Sequence, residues 1–308
     1  MPTLDANGVT FHYLQSGQGP DLVMVHGLSG NLAAWHLHVV PLLQPHYRIT
    51  TYDLRGHGRS SMPSSGYTTG HMAEDLRALM DALGIAAAHL AGHSFGADVA
   101  LHFALRYPDR ARRLVLIEPG IPALVNDRKR ETWEGWAYWA QDLERLTGEA
   151  IPRERWTDLR YMVRRSVEVP IVYGPLKGLP RRKDRILRLL DETTMIADYE
   201  VVGDLTMENL ATIEHPKLLV YDGRSAWLSS FRVLRDVLAN CTPVLLEGGE
   251  MRHFAPLETP VVLVSHLTGF LGLNGPRELA AGNQCSDLHQ SVNPGRTTER
   301  ERSIRNLI

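Results

Sequence analysis

The 308-residue sequence predicts an α/β fold built on a mostly parallel sheet, and three observations support this. Short apolar runs of β character alternate with longer amphipathic runs as far as Glu118, the pattern of strands joined by crossover helices. From 121 to 214 that alternation stops, and tryptophans and charge-rich helical runs take its place. It resumes from 215 to 273, where the strands are too few to make a sheet of their own. A helical insertion in one domain therefore fits better than two tandem domains: core residues 1–120 and 215–273, an insertion at 121–214, and a polar, aperiodic tail at 274–308.

Taken in order, "VTFHYL" (Val9 to Leu14) alternates like a strand and "DLVMVHG" (Asp21 to Gly27) is a buried strand closed by a glycine turn. "NLAAWHLHVVPLL" has helical spacing, "YRITTYD" is strand-like, and "TTGHMAEDLRALMDALG" is a helix stopped by Gly84. The strand "AAHLAG" precedes a helix from Phe95 to about Tyr107 that Pro108 ends, and "RLVLIE" (Arg113 to Glu118) is the next strand. After the insertion come the strand "PKLLVYD" (Pro216 to Asp222), the helix "WLSSFRVLRDVLA", the strand "TPVLLEG" and the helix "PVVLVSHLTGFL".

Composition narrows the function. With 44% hydrophobic and 22% charged residues the chain can bury a sizeable core, and a formal charge of -2 implies no general attraction to nucleic acid or lipid. Cys241 and Cys285 are too few for a disulfide framework or a thiolate metal site. The N-terminal residues lack a signal-peptide pattern and no run approaches a membrane span, so a cytoplasmic location is expected. There is no phosphate-cradling loop and no HExxH, hence no cofactor or metal is expected.

The chemistry centres on Gly92-His93-Ser94-Phe95-Gly96, a G-x-S-x-G set between a strand and a helix. A sharp turn there lifts the serine hydroxyl above the sheet, and the two flanking positions must be small for the helix to fold back on the strand. The Phe95 amide lies at a helix N-terminus, where an oxyanion is favoured. A second amide, that of Leu28, is available in the glycine turn "HGLSG" after the second strand.

At these residues the chain resembles the α/β-hydrolase superfamily, in its lidded, single-domain, esterase- or thioesterase-like members. The matching pieces are "HGLSG", "YDLRGHGRS" (Tyr52 to Ser60), "GHSFG" and "MRHFAPLETP" (Met251 to Pro260), which follow the family's order from about Val9 to Leu271. The resemblance implies an eight-stranded sheet, a helical lid between strands six and seven, and a Ser–acid–His triad that needs no cofactor. It also gives Asp53, Arg55 and His57 a structural part in their loop.

His253 follows the last strand and is the expected base, although the family usually has glycine where this chain has Arg252. The acid is less plain. The seat usual in the family, three residues past a glycine after strand seven, falls on Ser225, which carries no charge. Some members place the acid at the end of strand six, where this chain has Glu118. Glu118 is therefore the leading acid and Asp222 the alternative, since a carboxylate at either strand end could face the His253 Nδ1–H; a Ser94–His253 dyad or another acid stays open. His26, His93, Trp133, Trp136 and Trp227 are expected to line a substrate pocket.

Two features of the insertion allow two readings each. Trp133, Trp136 and Trp139 share a helical face and suit either core packing or contact with an apolar substrate. Between Arg153 and Arg188 there are eleven basic residues against four acidic ones: either solvated helix faces or a rim for an acidic substrate, such as an acyl chain on a carrier protein or coenzyme A. The expected activity is hydrolysis of a small-molecule ester, lactone or thioester through an acyl-enzyme on Ser94. The alternatives are carbon–carbon bond hydrolysis or a natural-product cyclisation on the same scaffold, and a non-catalytic ligand-binding homologue.

Overall fold

The computed structural model describes residues 2–124, 133–170, 183–247 and 252–272. Eight strands form one sheet: β1 (Thr3–Ala6), β2 (Val9–Ser16), β3 (Asp21–Val25), β4 (Arg48–Tyr52), β5 (Ala88–His93), β6 (Ala111–Ile117), β7 (Lys217–Asp222) and β8 (Cys241–Leu246). Their spatial order is β1-β2-β4-β3-β5-β6-β7-β8. The pairs β1/β2 and β2/β4 are antiparallel, and every later pair is parallel. The hairpin between β1 and β2 turns on Asn7 and Gly8, both at positive φ (47° and 70°), as a two-residue turn of the I′ kind requires.

The central strands explain their own sequence. Every residue of β5 and β7 is buried, so these strands read as apolar runs rather than alternating ones. One face of the sheet packs against α3 (Thr69–Ala82) and α4 (Phe95–Arg106) in the larger core, which includes Leu76, Leu79, Leu101 and Phe103. The other face packs against α1 (Ala33–His36), α2 (Val40–Leu43) and the helix Pro260–Leu271, through Trp35, Leu43, Leu263 and Leu267. α3 begins at Thr68, whose hydroxyl accepts the His71 amide, and the chain reverses at Gly84 with φ 66°.

The expected single helix over "NLAAWHLHVVPLL" is two short ones, α1 and α2. Pro41 lies in the first turn of the second and cannot donate into a continuous helix. Between β6 and β7 lie the helices Glu134–Thr147, Leu159–Glu168, Asp184–Glu192, Met195–Tyr199 and Met207–Ala211. They bury cores of their own: Trp136, Ala140, Leu143 and Met162 in one, and Val163, Val167, Ile186 and Leu190 in another. The tail 274–308, with Cys285, lies outside the described residues. Among the described residues no helix is long and apolar enough to cross a membrane.

The topology also places the site. Strand order reverses between β3 and its two neighbours, β4 on one side and β5 on the other. Ligands in open α/β sheets bind at the carboxyl ends of the strands where the order reverses. The turns His26-Gly27-Leu28 and Ser94-Phe95 leave from the ends of β3 and β5.

Candidate active site

Ser94 stands between β5 and α4 at φ 52° and ψ -125°, a backbone conformation that side chains rarely adopt. Its amide donates to the Ile117 carbonyl (2.8 Å), which pins the elbow to the end of β6. The two glycines are there for space. A Cβ on Gly92 would overlap the Gly96 carbonyl and the start of α4, and a Cβ on Gly96 would overlap the carbonyls of Val25 and His26. Gly27 packs its Cα side against the Ser94 Cβ, so the β3 turn and the elbow touch. Among the described residues the Leu28 and Phe95 amides donate no hydrogen bond, which leaves both N–H groups for an oxygen above Ser94.

Glu118 directly follows β6 at φ 53°, a second residue without glycine's freedom held in the left-handed region. Its amide continues the ladder by donating to Val220 (2.8 Å). Asp98, buried in the first turn of α4, accepts the amides of Gly120 and Ile121 (2.9 and 3.0 Å) and so clamps the turn that follows. The Glu118 side chain is 1% exposed and takes three donors: the Asp222 amide on Oε1 at 2.6 Å, the Ser225 hydroxyl on Oε2 at 2.5 Å, and His253 Nδ1 facing Oε2 at 3.3 Å. Burial pushes this carboxyl well above the usual carboxylate range, and the Asp222 charge pushes the same way; the Ser225 and Asp222 donors oppose them.

His253 is held from several sides. His93 Nε2 bonds its carbonyl oxygen at 2.7 Å, and the two rings lie 5.0 Å apart. Trp227 covers the imidazole, with centroids 4.5 Å apart and planes tilted by 32°. Burial lowers the His253 pKa to about 4, which keeps the ring neutral near pH 7, the state a general base needs. The Ser94 hydroxyl makes no hydrogen bond to this ring among the described residues, so the acid and base are paired while the serine stands apart.

Of the two candidate acids, Glu118 faces the base. The Asp222 carboxylate instead accepts the Arg224 amide at 2.8 Å and caps its own turn, while the Asp222 backbone holds Glu118. Ser225, read from sequence as an empty seat, carries the hydroxyl that supports the displaced carboxylate.

Other expectations need correcting. His26 does not line a pocket: it is fully buried, its Nε2 accepts the Leu54 amide at 3.0 Å, and its Nδ1 lies 2.8 Å from the Gly27 carbonyl. His93 is 4% exposed and supports His253 rather than offering a free face. Trp136 is 5% exposed, stacked on Trp139 in the insertion's own core. Trp133 bridges that core to the body, with its ring 6.1 Å from Trp227 and its Nε1 donating to Ser229 at 3.2 Å. Sequence reasoning named Ser225 as an empty seat and His93 as a pocket wall but missed their supporting contacts, because neither motif position calls for a particular side chain.

The loop "YDLRGHGRS" is structural. Asp53 accepts the Leu32 and Arg59 amides (2.8 and 2.9 Å) and pairs with His12 at 2.7 Å. Arg55 grips Asp75 in a buried bidentate pair, and His57 Nδ1 lies 2.8 Å from the Arg55 carbonyl. The basic run of the insertion is largely neutralised in place. Arg155 pairs with Asp158, Arg160 and Arg164 with Asp191, Arg165 with Glu149 and Glu168, and Arg188 with Glu192. Lys177, Arg181 and Arg182 lie outside the described residues. Among the described residues no group of three His, Cys, Asp or Glu could hold a metal ion.

Residues 20–265 match the family described as the alpha/beta hydrolase fold. The chain is 31% identical over 236 residues to the dihydrolipoyllysine-residue acetyltransferase component of the acetoin cleaving system of Pseudomonas putida, covering 76% of this chain and 59% of that protein. It is 36% identical over 141 residues to the fluoroacetate dehalogenase of a Burkholderia species, covering 44% of this chain and 46% of the relative. The matches thus span about half the length of these relatives, whose names describe different reactions. Among solved structures, Cfl2 from Burkholderia cenocepacia is similar at TM-score 0.63 and 27% identity, over 87% of this chain and 94% of that one.

Proposed function

The chain belongs to the α/β-hydrolase fold family, and on that premise we propose that it is a serine hydrolase cleaving an ester, lactone or thioester of a small molecule. The observation that carries the reading is the approach of Glu118 Oε2 to His253 Nδ1, beside a serine held on a strained elbow. In this scheme His253 takes the Ser94 proton through Nε2 as Oγ attacks the carbonyl carbon. The Leu28 and Phe95 amides hold the oxyanion, and Glu118 supports the imidazolium that forms. The protonated ring then returns the proton to the leaving group, and water repeats the sequence to release the acid from Ser94. The neutral ring at pH 7 and the two unoccupied amides support these roles.

The helices between β6 and β7 act in this reading as a lid. Their aromatic cluster reaches the base through Trp227, whose ring meets both Trp139 (5.7 Å) and His253. Water is thereby limited to one side of the imidazole, and an apolar acyl group finds an aromatic wall. The test is steady-state hydrolysis of nitrophenyl acyl esters and acyl thioesters by the wild type and by Ser94→Ala. Turnover by the wild type and background rates for the variant support the reading; equal turnover by both overturns it.

A further inference from the structure

We propose that Ser225 is a positioning residue of this site, its hydroxyl holding Glu118 ionised and turned toward His253. The inference rests on the hydrolase reading above. It starts from the direction of one proton. Ser225 Oγ accepts the Trp227 amide at 3.1 Å and lies 2.5 Å from Glu118 Oε2. A serine hydroxyl has one proton, and an amide N–H can only donate, so the hydroxyl proton points at Glu118. Ser225 cannot easily turn away: it is 3% exposed, and its own amide donates to the Asp222 carbonyl at 3.0 Å.

The carboxylate needs this donor because its surroundings oppose its charge. Glu118 is buried, and the facing charged group, the Asp222 carboxylate, is of like sign; among the described residues the remaining titratable neighbour is His253 itself. Among the described residues, the Asp222 amide and the Ser225 hydroxyl favour the ionised form besides the imidazole. Without the hydroxyl, Glu118 binds a proton at higher pH. A protonated carboxyl then offers a donor where the His253 Nδ1–H needs an acceptor, and the ring loses both its tautomer and its orientation. One short segment thus serves both partners, because Ser225 holds the acid while Trp227, two residues on, covers the base.

A purely structural Ser225, tying down the turn after β7, would act independently of Glu118. A double-mutant cycle separates the two roles. Ser225→Ala is expected to lower kcat about tenfold to a hundredfold, the worth of a hydrogen bond to a charged group. It should also move the acidic limb of kcat/KM upward by about one pH unit. In a Glu118→Gln background the same change should cost less than about twofold, since there is no charge left to hold. Ser225→Thr, which keeps the hydroxyl, should restore both the rate and the limb. If Ser225→Ala does not fold, Ser225→Cys carries the same test, being of similar size and a weak donor. An unmoved acidic limb, or an equal loss in both backgrounds, overturns the assignment. Ser94→Ala is the control: its activity would sink the hydrolase reading and this inference with it, whereas an inactive Ser94→Ala beside an unperturbed Ser225→Ala overturns the inference alone.

Discussion

Ser94 and Glu118 follow two paired strands at the same level of the sheet and share an unusual positive φ, 52° and 53°. The register places His93 opposite Ile117, the residues just before them. Neither is glycine, and each such residue stores roughly 1–3 kcal/mol of strain. Strain at both positions fits residues kept for their side chains rather than for their ease of folding.

That strain is measurable at Ser94. Ser94→Gly should unfold at higher denaturant than Ser94→Ala, by about 1 kcal/mol, because glycine relieves the strained elbow by more than it loosens the unfolded chain. Both variants should be inactive. Equal stability of the two in urea would mean that the elbow is unstrained in solution.

The choice of acid can be ranked kinetically. Glu118→Gln should lower kcat by about 10²–10⁴-fold with little change in fold, because the amide keeps the shape but not the charge. Asp222→Asn should cost much less, since its carboxylate accepts the Arg224 amide rather than facing His253, and its backbone contact to Glu118 survives. The reverse order in steady-state kinetics would move the acid to the end of β7.

Gly96→Val should prevent folding or strongly lower the melting temperature. Even a Cβ at that position overlaps the Val25 carbonyl, which belongs to the sheet backbone and cannot move aside. A melting temperature within a few degrees of the wild type would show that α4 does not lie so close to β3.

Acidification should destabilise the fold well before the carboxylates of the surface titrate. Burial lowers His253 and His89 to about 4, and His57 and His93 to about 3, from an unfolded value near 6.5. For groups depressed in the folded state, stability is fully present above the unfolded value and is lost as pH falls toward the folded one. Each such ring contributes a slope of about 1.4 kcal/mol per pH unit over that window. Glu118, raised by burial, has the opposite sign, but it is one group against several. Calorimetry should therefore show the melting temperature falling steadily from about pH 6.5 toward pH 4. A flat profile over that range would mean that these histidines are solvated.

Most of the sheet was legible because buried strands and amphipathic helices differ in period, and Gly92-His93-Ser94-Phe95-Gly96 sits where those periods meet. β1 was not read, although the Asn7-Gly8 pair before β2 is a strong hairpin signal. His26 was misread because adjacency to a site in sequence says nothing about which way a ring points; it points inward, to the Leu54 amide. Glu118 was singled out by its place at a strand end together with the resemblance, and in the structure its carboxylate faces His253. The hydroxyl that supports it was not legible, because Ser225 lies 107 residues away and meets Glu118 only through the parallel pairing of β6 and β7.

The most direct measurement is covalent labelling with a fluorophosphonate, read by peptide mass spectrometry. An activated Ser94 attacks phosphorus and keeps the phosphonyl group, while fluoride leaves. One adduct per chain on the peptide containing Ser94 is expected, absent in Ser94→Ala and strongly slowed in His253→Ala. An unlabelled wild type, or labelling of the wild type and His253→Ala at equal rates, would contradict the account of Ser94 as a nucleophile activated by His253.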